Sequence, residues 1–283
     1  MILDGKGCAK QLRQQLKNKI AKLRTSPTLA IIMVGDNKAS EIYVRNKNRA
    51  AKEVGIQTLN ICLPEKTSKQ ELLAEIRQLN NSDVDAILVQ LPLPETFSAS
   101  DTQDVINAID SRKDVDGFHP MNLGRIFTGQ LDNTPVPCTA KGIMYLLSQY
   151  HIDLDGKLVV VVGRSNIVGK PLSLLMLAQN ATVITAHSHT KNLASLTRQA
   201  DVVVMAVGRA EMLTADMIKD DAIVIDVGIN HQNGKVVGDV AFDEVKDKAA
   251  YITPVPGGVG PLTVAMLLEQ TTQLHCQTSQ HNM

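Results

Sequence analysis

Apolar positions recur along the chain in two alternating rhythms. Leu12, Leu16, Ile20 and Leu23 repeat at helical spacing, and residues 29–34 then form an unbroken apolar run ending at Gly35, the mark of a buried strand. The same alternation predicts a helix over 39–54 and a strand near 56–63. Ser68 followed by Glu71 reads as a capping box opening a helix that carries Leu72, Leu73, Ile76 and Leu79. A short strand over 85–91 is stopped by Pro92 and Pro94. A helix near 103–109 precedes an irregular acidic stretch, 110–120, and a polar loop, 129–138. Beyond a helix through 143–147, strands are predicted at 158–162, 182–185, 202–206 and 222–227, with a helix from about Gly169. Pro261 suits the first position of a final helix bearing Val264, Leu267 and Leu268, and the polar tail from Cys276 is expected to fray. Strands alternating with helices indicate an α/β protein with parallel sheets built from βαβ units, and 283 residues suit two domains.

Composition narrows the function classes. Aromatic residues are only 3% of the chain and Trp is absent, so the cores must be packed with Leu, Ile, Val, Ala and Met. Lys and Arg balance Asp and Glu at 29 each, with no basic stripe, which sets nucleic acid aside as a partner. The longest apolar runs are strand-sized, so no membrane span is expected. The first residues carry an acid and a lysine without an apolar core, so no secretory signal is expected. Cys8, Cys62, Cys138 and Cys276 are far apart and form no metal-ligand pair; free thiols in a reducing cytoplasm are the expectation.

Residues 158–171, LVVVVGRSNIVGKP, describe a buried strand, a glycine turn and a helix start. Gly163 permits the tight turn, and N–H groups at the helix start can face a pyrophosphate. The match to G-x-G-x-x-G is poor because Ser165 replaces the second glycine and the loop is longer. A Walker A loop fails too, since five residues separate Gly163 from Gly169 and Pro171 stands where Ser or Thr belongs. The next strand ends at Thr185-Ala186-His187-Ser188-His189, with no acid for a ribose 2′-hydroxyl. Arg164 and Ser188 can hold a 2′-phosphate instead, which favours NADP over NAD. His187 and His189 read as loop histidines, because a bare H-x-H with no third ligand makes a poor metal site.

Around the predicted helix 39–54, Ser40, Tyr43, Val44, Lys47, Ala50, Ala51 and Val54 share one face, while Arg45, Arg49 and Lys52 lie opposite. A lysine in the middle of an apolar stripe either snorkels out along its stem or sits in a partly dry pocket where it can act as a base. Tyr43, one turn earlier, can reach the same place. Gln90 ends a predicted strand, at the edge where α/β proteins bind ligands, although a turn-facing amide accounts for it equally well. Asp114 and Asp116 lie in the irregular acidic stretch. It reads as a surface turn, a metal site, or a carboxylate aimed at an amidine-like substrate edge; EF-hand spacing is absent.

Taken in order, SEIYVRNK at 40–47, VQLPLP at 89–94, KDVDGF at 113–118, PCTAKG at 137–142, VVVGRSNIVGKP at 160–171, IVIDVGIN at 223–230 and TPVPGGVGPLT at 253–263 resemble one family across essentially the whole chain. It is the bifunctional methylenetetrahydrofolate dehydrogenase/methenyltetrahydrofolate cyclohydrolases, the FolD family. The resemblance implies a catalytic α/β domain of residues 1–139 plus 264–283, a Rossmann-like NADP-binding domain of residues 140–263, and a cleft between them. It implies a role in one-carbon metabolism and purine biosynthesis. Methylenetetrahydrofolate is oxidised by NADP, then the methenyl product is hydrolysed to 10-formyltetrahydrofolate, with no metal. Lys47 matches the catalytic lysine, Gln90 the amide that bonds it, Tyr43 the residue flanking the folate ring, and Asp116 the carboxylate that grips the pterin edge. Leu91, Pro256, Gly257 and Gly258 complete the implied substrate set, and Thr139, Gly163, Arg164, Ser165, Ser188, Ile229 and Thr263 the implied NADP set. A cytoplasmic homodimer is the family expectation. A cyclohydrolase with weak dehydrogenase activity and a non-catalytic NADP sensor are the rival readings.

Overall fold

The computed structural model describes residues 1–232 and 234–281, except the side chains of residues 39 and 279–281. The chain divides into two compact units, Leu12–Val136 with the chain from Leu267, and Met1–Gln11 with Pro137–Met266.

The first unit takes up most of α1 (Gly5–Ile20), then β1 (Thr28–Val34), α2 (Lys38–Val54), β2 (Gln57–Leu63), α3 (Lys69–Asn80), β3 (Ala86–Val89), α4 (Ala99–Ala108) and α5 (Pro120–Phe127). Its three strands are parallel in the order β2-β1-β3. The central position of β1 explains its uninterrupted apolar run: both faces of the strand are covered, and all but Thr28 are buried. At the edge, β2 is mostly open. Leu72 and Ile76 of α3 and Val105 of α4 close the core over Ala30, Ile32 and Ile87.

The Ser68–Glu71 capping box forms as expected. A second box, Ser98 with Asp101, starts α4 at Ala99, four residues before the predicted start. Helix α5 was not apparent from periodicity. It begins because the His119 ring nitrogen accepts the Met121 N–H at 3.0 Å and Pro120 occupies its first turn, where a missing N–H costs nothing.

The second unit contains α6 (Cys138–Gln149), β4 (Leu158–Val162), α7 (Gly169–Leu177), β5 (Thr182–Ala186), α8 (Leu193–Thr197), β6 (Val202–Met205), β7 (Ile223–Asp226), the hairpin β8 (Asn230–Gln232) and β9 (Lys235–Val237), α9 (Phe242–Val245), β10 (Tyr251–Ile252) and the start of α10 (Val259–His281). Five parallel strands take the order β10-β7-β6-β4-β5. Numbered along the chain from β4 this is 2-1-3-4-5, a doubly wound order whose ligand crevice lies beyond the carboxyl ends of strands 1 and 3, here β4 and β6.

Residues 1–11 belong with this unit, not with the first unit as expected. Their backbone joins the β10 edge: Leu3 N–H donates to Ile252 O at 2.8 Å, and Ile252 N–H donates to Met1 O at 3.0 Å. Helix α10 begins at Val259, so Pro261 sits in its first turn without opening it. The tail expected to fray from Cys276 stays helical to His281; residues 282–283 lie outside the described residues. Buried Leu267, Leu268 and Leu274 anchor this helix, and His275 Nδ1 lies 3.0 Å from Asp85 Oδ1. Among the described residues no helix is long and apolar enough to cross a membrane.

Candidate active site

In the first unit the carboxyl end of β3 and the inner face of α2 meet at one side-chain pair. Asn37 opens α2 by accepting the Ser40 N–H at 3.0 Å, and the face carrying Ser40, Val44, Ala50, Ala51 and Val54 is buried. Lys47 rides on that stripe half-buried, and its Nζ donates to Gln90 Oε1 at 3.0 Å. Gln90 follows the last residue of β3, and its N–H donates to Ile32 O at 2.8 Å, fixing its backbone to the sheet. Its side-chain Nε2 donates to Leu91 O at 2.6 Å. That bond decides which way the amide faces: the oxygen, an acceptor only, is turned to the lysine. Tyr43, one turn before Lys47, remains substantially exposed, leaving its ring open to a ligand. The Leu91–Pro92 peptide bond is cis.

Asp116 is partly accessible and lines a small cavity together with Ile87, Val89, Leu91, Ile106 and Phe118. Burial pushes its carboxyl up to about 6, although the nearby Lys47 charge pulls it back down and Asp114 raises it further. The acidic stretch is therefore not a loose surface turn. Among the described residues no three His, Cys, Asp or Glu side chains converge to hold a metal. A separate cavity of this unit, about 610 Å³ and lined by Asn80, Lys113, Arg125 and Gln130 among others, touches none of these residues.

The second unit is organised by backbone and glycine. Gly163 follows β4 with φ 133°, and a Cβ there would stand 2.4 Å from Ala206 O, so only glycine fits where β4 and β6 part. Arg164, Ser165, Asn166 and Ile167 are exposed on the loop to α7. The helix-start N–H groups of Val168 and Gly169 are already taken by Ser165 Oγ, at 3.1 and 3.4 Å. The serine that replaces the second glycine caps the turn, and its own O–H remains as the donor toward a bound anion.

Ser188 is exposed after β5, between His187 and His189, whose rings meet edge to face at 6.0 Å. Thr139, at the start of α6, and Thr263 of α10 share a hydrogen bond at 3.1 Å. Half-exposed Ile229 lines a cleft of about 140 Å³ with Pro256, Gly257 and Gly258. Any Cβ on Gly258 would come within 2.6 Å of Pro254 O, which keeps this turn flat. The substrate and cofactor residues implied by the family resemblance thus fall into two groups: Tyr43, Lys47, Gln90, Leu91 and Asp116 in the first unit, and the rest of that set in the second.

Two carboxylates of the second unit escaped sequence reasoning. Asp226 ends β7 and accepts the N–H groups of Gly228, Asp239 and Val240; burial pushes its carboxyl up to about 6. Fully buried Asp239 accepts those of Val207, Gly208 and Arg209, as well as the Asn230 side-chain amide. The acid ending the apolar run IVID was a usable signal for Asp226, whereas nothing in the local pattern pointed to Asp239.

Comparison with known proteins covers nearly the whole chain. Residues 137–279 match the tetrahydrofolate dehydrogenase/cyclohydrolase NAD(P)-binding domain, and residues 3–116 match the catalytic domain of the same family. The bifunctional protein FolD of Methanospirillum hungatei is 54% identical over 97% of this chain and 97% of its own length. That of Pediococcus pentosaceus is 49% identical, over 96% and 97%. Among solved structures, the FolD methylenetetrahydrofolate dehydrogenase/cyclohydrolase of Campylobacter jejuni superimposes with a TM-score of 0.95 at 47% identity, covering 98% of this chain and 99% of that one. The Trypanosoma brucei dehydrogenase-cyclohydrolase, solved with NADP cofactor and an inhibitor, gives 0.93 at 36% identity, over 99% and 98%.

Proposed function

The chain belongs to the tetrahydrofolate dehydrogenase/cyclohydrolase family, and from that premise we propose how its own residues divide the two reactions. It is a bifunctional enzyme of one-carbon folate metabolism, oxidising 5,10-methylenetetrahydrofolate and hydrolysing the resulting 5,10-methenyl compound to 10-formyltetrahydrofolate. The observation that carries the assignment of roles is the Lys47–Gln90 pair, a half-buried amine held by an amide whose orientation is fixed by Leu91.

The second unit fits NADP. The Gly163 turn admits no side chain, so the backbone can approach a flat or charged ligand closely. Exposed Arg164 and Ser188 bind the 2′-phosphate, Ser165 donates its hydroxyl to the pyrophosphate, and Ile229, Thr139 and Thr263 border the remainder. When bound, NADP⁺ accepts a hydride from the one-carbon bridge of the folate, which leaves the methenyl cation.

In the first unit Asp116 accepts hydrogen bonds from the amino-pyrimidinone edge of the pterin, while Tyr43 packs beside the ring. In the second unit the turn of Pro256, Gly257 and Gly258 offers a surface without bulky side chains. Lys47 handles the proton of the second step. As water forms a C–O bond to the methenyl carbon, Lys47 Nζ, held in place by Gln90, relays the proton that the water loses. The hydroxyl adduct then loses its O–H proton to solvent as the carbonyl forms, the bond from that carbon to N5 breaks, N5 takes up the relayed proton, and the formyl group is left on N10. Positioning and proton transfer suffice because the carbon attacked is already cationic.

No disulfide is found among the described residues, which suits a reducing cytoplasm, and a homodimer is the working assembly. The test is a spectrophotometric assay of the purified protein. Methylenetetrahydrofolate is supplied with NADP⁺ or NAD⁺ in parallel, and methenyltetrahydrofolate alone. The reading requires faster oxidation with NADP⁺ and accelerated methenyl hydrolysis without cofactor; hydrolysis with no oxidation by either cofactor would contradict it.

A further inference from the structure

The turn that carries Asp116 is built around a second carboxylate. Asp114 is only 2% exposed. Its Oδ1 accepts the Gly117 N–H at 3.1 Å, while Oδ2 accepts the His119 N–H at 2.8 Å and Asn122 Nδ2–H at 2.9 Å. Asn122, fully buried on α5, also donates to Ser111 O at 2.8 Å, so one amide ties the start of the turn to the carboxylate. On the other side, Ile87 N–H donates to Lys113 O at 2.7 Å and bridges the backbone of Asp114 to β3. Asp116 therefore sits between two stretches of backbone that cannot move independently. Its own carboxylate has no hydrogen bond among the described residues, which leaves all its acceptor sites for a ligand.

We propose that Asp114 is a positioning residue for folate binding: its buried carboxylate, backed by Asn122, fixes the turn from 114 to 119 and so sets the direction in which Asp116 is presented to the pterin. The proposal rests on the reading that Asp116 binds the pterin edge. A carboxylate is required at 114 because all three of its partners are donors. An asparagine has one oxygen, so whichever way its amide turns, an NH₂ group faces a backbone or side-chain N–H. Asp114 also acts at a distance. Together with burial its charge raises the Asp116 carboxyl, against the Lys47 charge that lowers it. Only the ionised Asp116 is a pure acceptor, so folate binding is present above its titration and lost as pH falls through it. Removing the Asp114 charge moves that loss to lower pH.

The experiment measures kcat, the KM for methylenetetrahydrofolate and the KM for NADP⁺ across the mildly acidic to neutral range. Wild type is compared with Asp114→Asn, Asn122→Ala and Asp116→Asn. Asp114→Asn is expected to raise the folate KM roughly ten-fold, as loss of one or two charge-assisted hydrogen bonds would. The NADP⁺ KM stays within experimental scatter, and the acid limb of the folate profile shifts to lower pH. Asn122→Ala removes one donor and raises the folate KM roughly three-fold. A wild-type folate KM in folded Asp114→Asn, or in Asn122→Ala if the first variant does not fold, overturns the proposal. An unchanged folate KM in Asp116→Asn would instead sink the pterin reading on which it rests.

Discussion

The two units use carboxylates in opposite ways. In the first, Asp116 makes no hydrogen bond among the described residues and feels the Lys47 charge only at a distance, so its acceptor oxygens are available to a ligand. In the second, Asp226 and Asp239 are spent inward: between them they accept six backbone N–H groups and one side-chain amide. The sites differ accordingly. The catalytic unit presents the Lys47 amine from α2, the Gln90 amide from the end of β3 and the Asp116 carboxylate from one turn. The NAD(P)-binding unit presents glycine turns and exposed loop side chains, held in shape by buried acids behind them. Proton transfer needs groups that change charge, whereas holding a dinucleotide needs a backbone that does not move.

Substitutions can break that contrast in order of size. Lys47→Met keeps most of the unbranched side chain but removes its proton chemistry; methenyl hydrolysis should fall by about 10³-fold. Hydrolysis at the wild-type rate would remove Lys47 from the mechanism. Asp239→Asn sets an amide donor against backbone donors inside the second unit. A loss of about 3 kcal/mol of unfolding free energy is expected in denaturant titration, whereas an unaltered midpoint would deny its bracing role. Asp116→Asn is the mirror case. Its stability should change little, while folate affinity drops by roughly 10²-fold through loss of a charged acceptor. Wild-type folate binding should itself weaken as pH falls through about 6, where the Asp116 carboxyl takes up its proton, and this dependence should disappear in the variant.

The sequence made the scaffold legible because periodicity and caps are local signals. The buried runs of β1, β3, β4 and β6 and the Ser68–Glu71 box are written in consecutive residues. Lys47 stood out because a charge interrupts an apolar helical face. Its hydrogen bond with Gln90 spans 43 positions and was reached only through family resemblance. The start of α5 depends on a histidine cap, which composition alone seldom announces. Residues 1–11 changed unit because their role is to pair with β10, a two-residue strand too short to leave a pattern. Asp239 had no signal at all, since its partners lie between 9 and 32 residues away.

The division of labour itself is tested most directly by Arg164→Ala, a change at an exposed loop of the second unit. Both the KM for NADP⁺ and the cofactor-free rate of methenyl hydrolysis are measured on the same preparation. The account predicts that NADP⁺ binding weakens roughly ten-fold, as loss of one guanidinium–phosphate pair would produce, while hydrolysis keeps its wild-type rate. Parallel loss of both, in a variant that melts like wild type, would contradict it.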